Sequence, residues 1–282
     1  MITRMMFARA IVGMAVAGVL LAEVHGCRTP LDSERAKALS AAELQEYAKD
    51  GDATVQFNLG RCYYNGEGVA MDRSEAARWF RKAAGQEYPE AQTMLGACYC
   101  TGEGVAVDKA EAVKWFRIAA EHGYPPAQTM LGACYFKGEG VAVDQAEAVM
   151  WFCKAAEQEY PEAQASLGMC YFNGEGVAVD QAEAVKWFRK AAAKGHMLAQ
   201  VKLGACYLKG EGVAVDKAEA VKWFRMAAGQ GHPPTQAMLG MCYLSGEGVA
   251  VDKAEAVKWF RKAAEQGYLP AQEALKILQA PE

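Results

Sequence analysis

The sequence predicts an all-α protein, a solenoid of stacked antiparallel helix pairs, and the spacing of three residue types supports that prediction. All six tryptophans recur at intervals of 36 residues, from Trp79 to Trp259. Six of the nine cysteines, from Cys62 to Cys242, and a series of glycine pairs share this period. A fixed period of about 20–50 residues is typical of repeat architectures. We therefore interpret residues 52–267 as six copies of one 36-residue unit without insertions.

Each unit is predicted to contain two helices, as the copy that starts at Tyr160 illustrates. Pro161 suits the first turn of a helix, and apolar residues follow at helical spacing until Gly174, a residue suited to a left-handed helix cap. A second helix is predicted to begin after Asp180, with Glu183 completing a capping box. Tryptophan and phenylalanine lie on its apolar stripe, so we expect them to form the core.

The two ends of the chain differ from the repeats. Residues 1–26 combine Arg4 and Arg9 with a following apolar run, a pattern typical of a secretory signal. The run is shorter than the roughly 20 apolar residues that a membrane-spanning helix needs. Residues 27–51 and 268–282 are predicted to form capping helices, because a solenoid must cover the apolar faces at its two ends.

Cys27 leaves the processing of this signal open. The run Val24-His25-Gly26-Cys27 resembles a bacterial lipobox, in which the cysteine becomes the lipidated first residue. Ordinary cleavage and retention as an anchor are the alternatives. We expect an exported protein that is periplasmic, attached to the outer membrane or secreted. Contact with a membrane is expected only through a lipid on Cys27 or an uncleaved signal.

Composition and charge indicate which partners to expect. Apolar residues make up 52% of the chain and aromatic residues 10%, enough for a folded core. The net charge is −4, with 30 basic and 34 acidic residues interleaved along the sequence. Nucleic-acid-binding proteins usually carry a basic excess. A nucleic-acid partner is therefore not expected.

The repeat unit resembles the Sel1-like repeat, a relative of the tetratricopeptide repeat. One copy carries the motif as Leu131, Gly132, Tyr135, Gly138, Gly140 and Val141, followed by Asp144, Trp151 and Phe152. The resemblance implies a right-handed superhelix that acts as a non-catalytic adaptor and binds other proteins or peptides. It does not indicate which ones.

Candidate partner-binding residues lie at first-helix positions that vary between the copies. In related helical repeats the first helices line the concave surface, so a variable apolar position there is a candidate contact. We expect a row of apolar side chains with polar neighbours, formed by Phe136, Phe172, Leu208 and Leu244 with Lys137, Asn173 and Lys209. The alternative is that these side chains fill gaps between repeats.

No residues stand out as catalytic, cofactor-binding or metal-binding. The Gly-Glu-Gly loops lack the preceding strand and the Gly-Lys-Ser/Thr ending of a phosphate-binding loop. Equivalent cysteines of successive units are separated by a helix pair, and each helix lies about 8–10 Å from the next. They are therefore too far apart to form disulfides with one another. Cys100 and Cys153 fall outside the periodic pattern, and their role stays open.

Two further functions remain alternatives to the adaptor. The chain resembles, more distantly, the Helicobacter cysteine-rich branch of the Sel1-like family, which implies paired cysteines and binding or hydrolysis of β-lactams. Five of the six units lack a second cysteine at the spacing that such a bridge would use. The other alternative is a lipidated envelope scaffold of a secretion or polysaccharide-export assembly.

Overall fold

A computed structural model describes residues 40–48 and 51–279, so the predicted signal and Cys27 lie outside the described residues. The described residues form fourteen helices and no strand, which confirms the predicted all-α solenoid of helix pairs. No helix among them is long and apolar enough to cross a membrane. The helices are α1 (Ala41–Tyr47), α2 (Ala53–Asn65), α3 (Arg73–Ala84), α4 (Pro89–Thr101), α5 (Lys109–Glu121), α6 (Pro125–Lys137), α7 (Gln145–Glu157), α8 (Pro161–Asn173), α9 (Gln181–Ala193), α10 (Met197–Lys209), α11 (Lys217–Gly229), α12 (Pro233–Ser245), α13 (Lys253–Glu265) and α14 (Leu269–Gln279).

The chain divides into two compact units, one ending at Ala163 and the other beginning at Gln164, within the residues of α8. In the first unit, α2 packs against α3, α4 against α5 and α6 against α7. Successive pairs are joined by packing of α3 against α4 and of α5 against α6. In the second unit, the pairs α10–α11 and α12–α13 pack in the same way, and α14 packs against α13.

The two helices of a pair meet where a glycine in the first helix faces a phenylalanine ring in the second. A Cβ atom on Gly132 would lie 2.7 Å from the ring of Phe152, and one on Gly204 would lie 2.6 Å from the ring of Phe224. A side chain larger than hydrogen would collide with the ring, so either the ring or the helices would have to move. Most of the equivalent phenylalanines are completely buried as a result.

The tryptophans lie further out than the prediction of a core position implies. Trp79 and Trp151 are buried, with 9% and 7% of their surface exposed. The other four are half-buried, namely Trp115, Trp187, Trp223 and Trp259. The phenylalanine next to each tryptophan occupies the centre, because only its ring stacks against the glycine of the first helix.

Backbone hydrogen bonds hold the loop between the two helices of a pair. The first helix ends at Gly102, whose φ of +80° favours glycine. The N–H of Asp108 donates to the carbonyl oxygen of Tyr99 at 2.9 Å, and the Asp108 carboxylate caps the second helix by accepting from the N–H of Glu111. Because the Asp108 N–H is already bonded, the predicted capping box is only half formed. The Glu111 carboxylate instead accepts from Lys114.

A second glycine in the same loop fits the loop against the preceding repeat. Gly104 has a φ of +75°, and a Cβ atom there would overlap the backbone carbonyl of Arg73 in α3. Gly212 and Gly248 lie in the same way against the first residues of α9 and α11. In these three loops both glycines of the Gly-Glu-Gly sequence therefore have a structural role, one in ending a helix and one in allowing repeats to approach.

Buried glutamine side chains link neighbouring repeats, a feature that the sequence analysis missed. Gln128 donates to the carbonyl oxygen of Ala120 at 3.1 Å, and its own Oε1 accepts from Gln158 at 2.9 Å. In the preceding repeat, the position equivalent to Gln158 is occupied by His122, in place of the glutamine that would donate to Gln92. The Oε1 atom of Gln92 is consequently buried without a hydrogen-bond partner within the described part of the chain.

The contact between glycine and phenylalanine predicts opposite effects for two Gly→Ala substitutions in one helix pair. Gly204→Ala should lower the free energy of unfolding by about 1–3 kcal/mol, the usual cost of overpacking a core. Gly229→Ala introduces the same methyl group where no atom beyond the adjoining residues and backbone of its own helix lies within 4 Å, so it should leave stability unchanged or raise it by up to about 1 kcal/mol. Urea denaturation followed by circular dichroism measures both, and equal destabilisation would contradict this role of Gly204.

Candidate partner-binding surface

The predicted partner-binding residues all lie near the ends of first helices. The four apolar residues of the row are half-buried, and so is Lys137, whereas Asn173 and Lys209 are exposed. Phe136 and Lys137 belong to the first compact unit, on α6. The remaining five belong to the second unit, on α8, α10 and α12.

The apolar residues of this row in the second unit pack on one side and are exposed on the other. The ring of Phe172 lies 6.3 Å from the ring of Phe188 in α9. Leu208 packs against the buried cluster around Phe224, and Leu244 packs against the cluster around Phe260. Half-burial suits both gap filling and partner contact, so the binding role of these residues stays a prediction.

Three exposed apolar residues extend this face of the second unit, at further positions that vary between copies. Met238 and Met241 on α12 are 40% and 52% exposed, and Ile277 on α14 is 75% exposed. Met241 and Ile277 occupy the same repeat position. Met241 lies one helical turn from Leu244, so the two side chains are neighbours. We call Phe172, Leu208, Met238, Met241, Leu244 and Ile277 the first-helix face.

Polar residues border this face. Lys209 Nζ lies 3.9 Å from the Glu211 carboxylate, and the Asn173 side chain donates to Glu175 at 3.2 Å. Such solvent-exposed pairs contribute little to stability. In the first unit, burial lowers the pKa of Lys137. An apolar centre with a polar border is typical of a protein–protein interface.

The residues with reactive side chains are mostly part of the core. Burial raises the pKa of Cys98 to about 12 and that of Cys206 to about 11, so both thiols are protonated and unreactive near neutral pH. Within residues 40–48 and 51–279, no three His, Cys, Asp or Glu side chains come together as metal ligands would. The exception among the thiols is Cys100, which the structure brings against Cys134 of the next repeat. Their separation of 34 residues could have indicated this contact.

Two neighbouring phenylalanines provide a test of the half-buried position. Phe172→Ala should lower the free energy of unfolding by about 1–3 kcal/mol, because only part of its ring is removed from water. Phe188→Ala should cost about 3–5 kcal/mol, as expected for a fully buried ring. Urea denaturation of both variants checks the difference. An equal cost would place Phe172 in the core and remove it from the first-helix face.

Comparison with known proteins identifies the repeat. The Sel1 repeat family matches six segments of the chain, residues 53–88, 89–124, 125–160, 161–196, 198–232 and 233–268. Among solved structures, a protective antigen of uropathogenic Escherichia coli strains with an SLR fold is 40% identical, with a TM-score of 0.78 over 85% of this chain. The chain spans 51% of the length of that protein. No curated protein matches the sequence.

Two further structures are similar. A Sel1 repeat protein from Oxalobacter formigenes is 32% identical, with a TM-score of 0.69 over 75% of this chain and 85% of its own length. An immunity protein from Pseudomonas aeruginosa is 17% identical, with a TM-score of 0.51 over 88% of this chain and 87% of its own, a likeness that shows the fold alone. Sel1 repeat solenoids commonly serve as non-catalytic scaffolds for protein interactions. The matched segments account for all six predicted repeats, and the chain belongs to the Sel1 repeat family.

Proposed function

We propose that this protein is a non-catalytic adaptor that binds a protein or peptide partner on the first-helix face of its second unit. The exposure of Met238, Met241 and Ile277 supports the proposal most directly. Large apolar side chains exposed together usually mark an interaction site. Each of them lies on a first helix, where the side chains differ from copy to copy, whereas the glycine and phenylalanine positions of the core stay the same.

The chemistry of this face indicates what kind of partner it would accept. Methionine side chains are flexible and polarisable, so they adapt to partners of different shape. Leu208 and Phe172 offer more rigid contacts, because one side of each is already packed. We therefore expect a partner that presents apolar side chains, with contacts spread over α8, α10, α12 and α14.

We further propose that the protein acts outside the cytoplasm. The support is the sequence of residues 1–26, a basic start followed by an apolar run, and the lipobox-like run that ends at Cys27. Radiolabelled palmitate in growing cells distinguishes lipidation at Cys27 from ordinary signal cleavage. If Cys27 is lipidated, the wild-type chain is labelled and the Cys27→Ser variant is not. If the signal is simply cleaved, neither chain is labelled. Recovery of unprocessed chain from the cytoplasm alone would contradict export.

Two exposed methionines allow a matched test of the binding surface. Met241→Glu should weaken partner binding by about 10-fold or more, within the range of interface hot spots, while leaving the melting temperature unchanged. Met226→Glu is the control, because Met226 is 49% exposed but lies on α11, a second helix. Partners captured from an envelope extract by the wild-type chain would be identified and then titrated against both variants.

The outcome separates three cases. Loss of binding in Met241→Glu alone supports the first-helix face. Loss in Met226→Glu alone would move the interface to the second helices and overturn the proposed surface. Equal binding of the wild-type chain and both variants would also contradict it.

A further inference from the structure

Two thiols of neighbouring repeats contact each other in the first unit. Cys100 lies at the end of α4 and is half-buried, whereas Cys134 on α6 is 3% exposed. Cys100 packs against the buried cluster that contains Cys134, and the two side chains are joined by a hydrogen bond. The two helices are first helices of successive repeats, and they touch directly. The side chains of these cysteines are therefore already adjacent in the reduced protein.

Within the described residues, Cys100 and Cys134 are the one pair at these repeat positions in which a thiol meets a thiol. In four units, the residue 34 positions before the periodic cysteine packs against the cluster that contains that cysteine. In the described part of the chain, that neighbour is aromatic or aliphatic in the other clusters, with Tyr64 near Cys98, Phe172 near Cys206 and Leu208 near Cys242. Replacement of this neighbour by Cys100 turns a packing contact into a pair of thiols.

The surroundings give the two sulfur atoms different roles. The hydrogen bond from Cys134 lowers the pKa of Cys100, and the positive charges of Lys109 and Lys137 act in the same direction, against burial and Glu139. The same hydrogen bond, together with burial, raises the pKa of Cys134. Cys100 is also the more exposed of the two. It is therefore the thiol that can ionise and react first.

We propose that Cys100 and Cys134 are a redox site that closes into a disulfide when the protein meets a small disulfide oxidant such as oxidised glutathione. The Cys100 thiolate attacks one sulfur of the oxidant and expels a thiolate, leaving a mixed disulfide on Cys100. Cys134 then loses its proton to the solvent, and its sulfur attacks Cys100 Sγ and expels the second thiolate. Two protein thiols are oxidised by two electrons, and one molecule of the oxidant is reduced to two thiols.

The bond would link the repeat at residues 89–124 to the repeat at residues 125–160. It would close a loop of the chain and so reduce the conformational freedom of the unfolded state. Since the two thiols already touch, closure needs little movement of α4 or α6. We therefore expect the oxidised protein to melt a few degrees higher than the reduced protein, and a reductant to reverse the change.

The test uses the full-length chain, purified under reducing conditions and treated with excess oxidised glutathione. Free thiols are then blocked after denaturation, and unreduced peptides are examined by mass spectrometry. A peptide pair linked through Cys100 and Cys134 is expected, with Cys206 and Cys242 still blocked as free thiols. Cys100→Leu should abolish the link, and it should fold normally because leucine occupies this position at Leu208 and Leu244.

Three further variants establish the pairing and the order of attack. Cys98→Ala and Cys153→Arg should both keep the link between Cys100 and Cys134, because neither removes one of these two cysteines. Cys153→Arg should fold normally, since arginine is the usual residue at that repeat position. Cys134→Ala should accumulate glutathione on Cys100. The proposal is overturned if Cys100 in the wild-type chain ends as a mixed disulfide with Cys134 still reduced. It is also overturned if the link persists in Cys100→Leu, or if no cysteine is oxidised.

Discussion

The contact between a first-helix glycine and a second-helix phenylalanine is the constraint on which the rest of the structure depends. With hydrogen as the only side chain of Gly132, the ring of Phe152 can lie directly on the backbone of α6. This close approach buries the ring completely and fixes the distance between the helices of a pair. A second glycine, such as Gly104, then lets the loop lie on the backbone of the preceding repeat. The two glycines together set the spacing both within and between repeats.

The sequence predicted those features that local residues determine. The helix ends follow from Gly102 and Asp108 and their equivalents, because a left-handed glycine ends the first helix and an aspartate caps the second. The prediction of a capping box was wrong in part. In a complete box the Glu111 carboxylate would accept from the N–H of Asp108, but that N–H already donates to the carbonyl oxygen of Tyr99, nine residues before Asp108. Such a bond depends on how the loop folds back, which local spacing does not reveal.

The glutamine network shows what a periodic sequence can conceal. Gln128 recurs at one position of the repeat, as do the core residues, yet it was overlooked because a polar residue is expected on the surface. Its position next to a buried alanine, together with its recurrence, was the available signal. Hydrogen bonds to Ala120 and Gln158 make its burial favourable.

The candidate binding surface was predictable only in part, because residues at one repeat position differ in exposure. Met94 and Met130 in the first unit are 1% and 3% exposed, whereas Met238 at the same position in the second unit is 40% exposed. The first two side chains pack into buried clusters together with a cysteine of the same helix. Methionine suits a buried and an exposed position equally well, so its identity could not distinguish them. The half-buried row from Phe136 to Leu244 was visible in the sequence because its side chains vary between copies.

The central claim is that each helix pair is held by its own contact between glycine and phenylalanine and is coupled mainly to its neighbours. Amide hydrogen exchange of Phe260→Ala, resolved by mass spectrometry, tests it most directly. Removal of this ring from α13 should speed exchange in α12, α13 and α14, while the helices from α2 to α6 keep their wild-type protection. A uniform loss of protection along the whole chain would contradict the claim.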